Sequence, residues 1–301
     1  FSLDDEHSPY YETKRVLLEA GVPCQMIDTP TLTNPDWKDL NLALNIVAKC
    51  GIVPWVLPEG MPGADFFVGL SYTQHRGDPG TRLMGYANVF NKYGRWLFYS
   101  GNTQTFEFNE RGARLADLVA STLRRVESLS ETPHIYFHYS ARFSQGDREA
   151  LVMAARSVRP QGTYSFVWIN SHHPIRLYDE RPESDGSLAR GTYVVTSENQ
   201  LYLSTTGYNP YRKTLGTPRP LEVTIWTYPP TGQVRTPPDL HALARQILAL
   251  TKLNWASSDA LTGEPITTKY AGDIAYLTAA FMRQGQPFRL HPALERTPWF
   301  L

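Results

Sequence analysis

Asp65–Tyr72 reads DFFVGLSY, a short apolar and aromatic run that marks a buried strand. The turn-rich Pro58-Glu59-Gly60-Met61-Pro62-Gly63 precedes it and sets a boundary between residues 1–62 and 63–301. Downstream, strands are expected at Arg82–Phe90, Arg95–Ser100 and Gln104–Phe108. Arg111–Ser128 is amphipathic, with Leu115, Leu118, Val119, Leu123 and Val126 on one face, and predicts a helix. A strand at His134–His138, a helix at Gln145–Arg159 and a strand at Thr163–Ile169 follow. Consecutive strands and then helix–strand–helix–strand fit a mixed sheet with an antiparallel meander at one edge. Upstream, Tyr11–Ala20 predicts a helix stopped at Gly21, and Pro23–Ile27 a strand. Asn34-Pro35 opens a second helix through Leu40, Leu42, Leu44, Ile46 and Val47, and Ile52–Leu57 predicts another strand. That alternation is half of an α/β unit. Towards the C-terminus, strands and long turns fill Arg176–Thr227, Gly232–Pro237 is a Pro-rich linker, and helices are expected over Pro238–Leu253 and Thr267–Gly285.

The 301 residues, 42% apolar, suffice for one large or two modest cores. Net charge is zero, so any nucleic-acid binding must come from local arrangement. Of 29 basic residues, 22 are Arg and seven Lys, a bias that suits polyanion contact and that codon usage also produces. Two cysteines, Cys24 and Cys50, in no zinc-ligand spacing, fit a reducing compartment. Apolar runs are far short of a membrane span and no signal peptide is visible, so a cytoplasmic location is expected. His134, His138, His172 and His173 match no common zinc pattern. No Gly-rich phosphate loop, GxSxG elbow or Cys–His signature is present.

Four polar residues near the front form a candidate anion site. Tyr10 and Lys14, four apart at a helix start, share a face, and a helix N-terminus adds free N–H groups. Lys49 falls four residues after Asn45 and eight after Asn41, again on one face. With Gln25, the set offers cationic charge, hydrogen-bond donors and an aromatic lid, the needs of a terminal phosphate and its first base. Taken singly, each has an ordinary packing or surface reading.

The patterns YYETK, CQM and LNLALNIVAKCGIVPW resemble the MID domain of Argonaute proteins. The resemblance puts that family's Tyr–Lys–Gln–Lys signature on Tyr10, Lys14, Gln25 and Lys49, with Asn41 and Asn45 beside it. It implies that these residues hold the 5′-phosphate of a guide, with the Tyr10 ring stacked on the first base. The chain ends TPWFL, as short Piwi-like proteins do; by that likeness the Leu301 carboxylate, with Asn45, reaches a Mg²⁺ ion beside the phosphate. A carboxylate beside a phosphate is repulsive unless a cation lies between. Gly216–Pro220 resembles a turn whose Arg219 touches guide backbone, and LTKLNW, Leu250–Trp255, makes Lys252 a second backbone candidate. The implied fold is α/β: a Rossmann-like MID portion (1–62, its C-terminal part), then an RNase H-like PIWI domain (63–301).

An RNase H-like nuclease holds two Mg²⁺ ions with clustered carboxylates. Aligned on the family, Ser71 and Ser140 stand where two aspartates are required, Asp273 falls at the fourth position, and the glutamate-finger segment lies near Glu107–Glu110. Two hydroxyls cannot replace two negative charges in a site for two dications. The resemblance therefore implies an inactive, short prokaryotic Argonaute. It would carry a 5′-phosphorylated guide (RNA, or DNA), pair it with target DNA, and act in defence with an APAZ-containing effector of TIR, Sir2 or nuclease type. Two alternatives are a guide-dependent nuclease with an altered metal site around Asp273, and a scaffold that binds no nucleic acid.

Overall fold

The structure, a computed structural model, describes residues 9–27, 29–34, 38–72, 85–101, 106–126, 129–181, 186–206, 219–257, 262–282 and 288–301. Its centre is one eight-stranded sheet in the order β3-β2-β1-β4-β5-β8-β7-β6. The strands are β1 Phe66–Tyr72, β2 Gly85–Asn91, β3 Trp96–Gly101, β4 His134–Tyr139, β5 Thr163–Asn170, β6 Tyr193–Ser197, β7 Gln200–Leu203 and β8 Leu221–Tyr228. β1, β4 and β5 run parallel, and both flanks are antiparallel meanders. Parallel strands are stable only when both faces are covered. The run DFFVGLSY meets that condition: its alternate residues enter two separate cores.

Phe66, Val68 and Leu70 face helices α4 (Arg111–Arg124) and α5 (Gln145–Val158). Phe67 faces α6 (Leu240–Leu250) and α7 (Ile266–Met282). On that second face Gly69 leaves room for α7: a Cβ there would lie 2.0 Å from the Thr267 carbonyl oxygen. Beside it, His138 Nδ1 meets Thr267 Oγ1 at 2.8 Å. Helix α5 opens on a capping box, with Ser144 accepting from the Asp147 amide and Asp147 from the Ser144 amide.

Before β1 come α1 (Pro9–Glu19), α2 (Thr29–Thr33) and α3 (Asp39–Lys49). α1 closes at Gly21, whose φ of 80° suits a residue without Cβ. The strands expected at Pro23–Ile27 and Ile52–Leu57 do not form; both segments are extended but enter no ladder. An extended run becomes a strand only beside a partner, and Leu57 finds a single bond, its amide to Tyr93 O at 3.0 Å. The Gln104–Phe108 strand also fails where it is described. Phe106 makes an isolated bridge, and Phe108–Glu110 is a 3₁₀ turn leading into α4. Helix α2 was not anticipated. The Pro35 of the expected helix start lies outside the described residues, and α3 begins at Asp39, whose carboxylate accepts from the Leu40 amide.

The front helices are fastened to the sheet body by indole bonds in both directions. Trp55 Nε1 donates to Lys252 O at 3.2 Å, and Trp255 Nε1 donates to Trp55 O at 3.1 Å. Gln246 Nε2 adds a bond to Pro62 O at 2.6 Å. The C-terminal tail completes the core. Trp299 packs against Tyr99 and Phe288, and Phe300 against Trp96 and Tyr270, with centroids 5.0–5.6 Å apart.

Candidate functional site

The four polar residues singled out at the front come together. Lys14 and Lys49 are each only 3% exposed, unusual for lysines without a carboxylate partner. Lys14 Nζ donates to Tyr10 OH at 3.3 Å and lies 5.5 Å from the Tyr10 ring centre. Lys49 Nζ donates to the Cys24 carbonyl at 3.0 Å and, closely, to Gln25 Oε1. Burial, and then the neighbouring Lys14 charge, push the Lys49 ammonium down to about 7. Two cations are thus held near one another at low dielectric among neutral acceptors, an arrangement that favours a ligand bringing negative charge.

The local sequence explains the geometry. Tyr10 and Lys14 share one face of α1 by their spacing. Lys49 ends α3, and the extended 22–27 segment brings Gln25 across to it. The Cys24 carbonyl is a site group that sequence reasoning did not foresee, because a backbone oxygen has no residue-type signature. On α3, Asn45 Nδ2 donates to Asn41 O at 2.7 Å and to Ala256 O at 3.4 Å, which leaves its Oδ1 uncommitted among the described residues. Leu301 and Tyr10 rest, partly buried, on the same apolar core. No ion pair joins the Leu301 carboxylate to Lys14 or Lys49.

The two guide-backbone candidates are less engaged. Arg219 Nη1 donates to Ser171 O at 3.2 Å on the exposed surface; residues 216–218 of its turn lie outside the described set. The Lys252 carbonyl serves the Trp55 clamp, and its side chain is exposed.

A second locus lies at the C-terminal ends of the central strands. Leu70 opposes Tyr139 in the last pair of the parallel β1–β4 register, and Ser71 and Ser140 each follow that pair by one residue. Ser71 shares a sheet face with Gly69 by the two-residue alternation of a strand. Asp273 does not join them. Its carboxylate pairs with Lys269 at 2.8 Å. From Thr267 beside Gly69, α7 carries Tyr270 to Phe90, which is paired with Phe67, and so leads away from the strand ends. The histidines are structural here. His138 is held by Thr267, and burial lowers it to about 3. His134 sits 2.9 Å from Ser165 Oγ, and burial lowers it to about 4. Among the described residues no group of three or more His, Cys, Asp or Glu could hold a metal, and no helix is long and apolar enough to cross a membrane.

A parallel β1–β4–β5 centre, an antiparallel β2–β3 edge and a terminal helix across the sheet define an RNase H-like domain, here fronted by helices that carry a buried lysine pair. Comparison with known proteins shows what this arrangement is similar to. The Argonaute of Cereibacter sphaeroides is 25% identical over 329 aligned positions, covering 99% of this chain, and that of Aquifex aeolicus 26% over 271, covering 89%. The structure of Clostridium butyricum Argonaute, bound to a guide DNA and a 19-mer target DNA, superposes with a TM-score of 0.70 at 20% identity, over 91% of this chain and 36% of that one. No family model matches. The chain is similar along nearly its whole length to the MID–PIWI region of prokaryotic Argonautes, and it spans 41% and 35% of the two curated relatives' lengths.

Proposed function

We propose that this chain recognises nucleic acid through a guide, holding the guide's 5′-phosphate between Lys14 and Lys49 and offering the guide bases to a target strand without cutting it. Residues 1–62 serve as the C-terminal part of a MID domain and 63–301 as an inactive PIWI domain. The observation that carries the reading is the buried lysine pair, joined to Tyr10 and Gln25 and, among the described residues, matched by no carboxylate. Loss of cutting is supported by Ser71 and Ser140, each one residue past the last β1–β4 pair, where a two-metal centre requires carboxylates. The alternative nuclease centred on Asp273 is disfavoured by its pairing with Lys269. Guide RNA, single-stranded DNA target, a defence role and an APAZ-type effector partner extend this reading by family likeness.

By family likeness Asn45 Oδ1 and the Leu301 carboxylate would hold Mg²⁺, which takes few protein oxygens and keeps water and phosphate oxygens as its other ligands; Asn45 Oδ1 is uncommitted among the described residues. Bound there, the ion would screen the chain's terminal carboxylate from the guide phosphate.

A 5′-phosphorylated guide is expected to bind at least roughly tenfold more tightly than its 5′-hydroxyl counterpart at fixed salt, since a charge-assisted contact contributes about 1.5–3 kcal/mol. Equal affinities in a fluorescence-anisotropy titration would remove the basis of the assignment. Proton linkage gives a second expectation. Lys49 is held near 7, below its free value of 10.5, and an adjacent phosphate raises it again. Guide binding should take up a proton above about pH 7, so affinity should fall as pH rises from 7 to 9. Calorimetry in buffers of different ionisation enthalpy reads that uptake directly; none at pH 8 would mean that Lys49 does not face the phosphate. The unliganded fold should show the opposite trend. Between about pH 7 and 10.5 the unfolded chain binds more protons at this position, so this lysine's contribution to stability rises with pH.

A further inference from the structure

On the α4–α5 face of the sheet, three aromatic side chains lie in alternate register rows, each the next on that face. Trp168 on β5 opposes Thr224, Trp226 on β8 opposes Phe166, and Tyr228 opposes Tyr164. Each carries an arginine over its ring: Arg142 over Trp168 at 5.4 Å, Arg148 over Trp226 at 4.2 Å, and Arg235 over Tyr228 at 5.1 Å. Arg148 Nε also donates to Tyr228 OH at 3.2 Å. Among the described residues none of these arginines is ion-paired, whereas Arg15, Arg111, Arg114, Arg125 and Arg181 elsewhere all are. Arg156 likewise has no acid; it donates to Pro229 O at 2.6 Å and ties the loop that carries Arg235 to α5.

The acids on this face do not neutralise the row. Glu222 accepts from Asn170 and Gln200, and Glu198 lines a 390 Å³ cleft with Trp226 and Arg235 but pairs with neither. A chain of zero net charge therefore presents here a line of uncompensated guanidiniums stacked on ring faces. The line begins at the degenerate strand ends, where Trp168 Nε1 donates to Ser140 O at 3.1 Å.

We propose that this face is a second nucleic-acid surface, a stacking track for single-stranded polynucleotide that continues beyond the β1–β4 strand ends. Guanidiniums meet phosphates while aromatic and guanidinium planes accept unpaired bases, a combination that binds single strands with little sequence preference. Charge favours a polyanion over an apolar protein partner, which would gain nothing from unpaired arginines. The proposal deepens the guide-and-target reading by assigning a place to strand lying outside the paired region, and it needs no 5′-phosphate.

The test uses the full chain and a fluorescein-labelled oligo(dT) with a 5′-hydroxyl, which the lysine pocket does not select, measured by anisotropy across a salt series. Arg148→Ala with Arg235→Ala is expected to weaken binding roughly tenfold and to lower the log–log salt slope by about 1.4, about 0.7 for each charge removed from a single-strand contact. Trp226→Ala should weaken it roughly five- to tenfold, as loss of one stacking platform does. Trp226→Phe, which keeps a ring and packing, should restore most of the affinity and controls for folding. In all variants the preference for a 5′-phosphorylated over a 5′-hydroxyl guide should be unchanged. Affinity within twofold of the parent in both the arginine and the Trp226→Ala proteins overturns the proposal, and leaves a protein-binding face as the reading of these residues. Loss of 5′-phosphate preference in the parent, with the arginine effect intact, would remove the pocket assignment and leave this surface standing.

Discussion

Replacing both buried lysines by methionine, Lys14→Met with Lys49→Met, is expected to abolish selection for a 5′-phosphorylated guide while leaving the fold as stable as before, or more so. The two halves of this result have one cause. Each lysine is buried, and among the described residues neither has a carboxylate partner. In the free protein burial, and then the neighbouring charge of Lys14, drives Lys49 down to about 7. Methionine has nearly the same reach and fills the same volume without a charge. Apolar replacement of buried charges is commonly neutral or stabilising.

With a phosphate present the balance reverses. Each lysine then makes a charge-assisted contact of about 1.5–3 kcal/mol, so losing two should cost about 10²- to 10⁴-fold in affinity. A group retained for binding at the expense of stability is what a ligand site leaves in a fold. Thermal melting and guide titration on the same preparation decide the matter. A variant that melts well below the parent would make the lysines structural. A variant that still prefers the phosphorylated guide would place the anion elsewhere.

Sequence patterning revealed the sheet because its rule is local. DFFVGLSY alternates between two cores, and the same alternation identifies His134–Tyr139 and Thr163–Asn170 as strands. It failed at Pro23–Ile27 and Ile52–Leu57 because apolar content records a wish for burial, and pairing also needs a neighbour. Ile52–Leu57 rests Val53, Trp55 and Leu57 on the core without entering a sheet, while Met26 and Ile27 stay exposed. The lysine pocket was legible through the four-residue spacing of Tyr10 and Lys14 and through family likeness. The Cys24 carbonyl and the reciprocal Trp55–Trp255 bonds were not, because they depend on long-range backbone placement. Asp273 reads from its sequence as a helix-surface acid, and its carboxylate pairs with Lys269 on the same helix. The arginine bias was noticed as composition only; the ring partners that organise it come from strands β5 and β8, about sixty residues apart.

Gly69→Ala should be the most damaging single-methyl change in the molecule. The added Cβ would fall 2.0 Å from Thr267 O and 2.7 Å from the carbon of that carbonyl. Both atoms belong to helix backbone, so no rotamer can relieve the overlap, and the strand is hydrogen-bonded on both sides, to β2 and to β4. Helix α7 must therefore move by more than an ångström, away from His138, whose imidazole would lose its Thr267 partner in a fully buried setting. Overpacking against backbone, together with a newly unsatisfied buried group, belongs to the few mechanisms that cost more than about 4 kcal/mol. At this size that corresponds to a fall in Tm of roughly 6 °C or more, or to no soluble protein. The control lies in the same helix: a Cβ at Gly272 meets nothing within 4 Å. Gly272→Ala should therefore be neutral or stabilising by up to about 1 kcal/mol, from helix propensity alone. If both variants melt within two or three degrees of the parent, α7 does not pack on the central strand as described, and the face shared by Gly69 and Ser71 has to be reassigned.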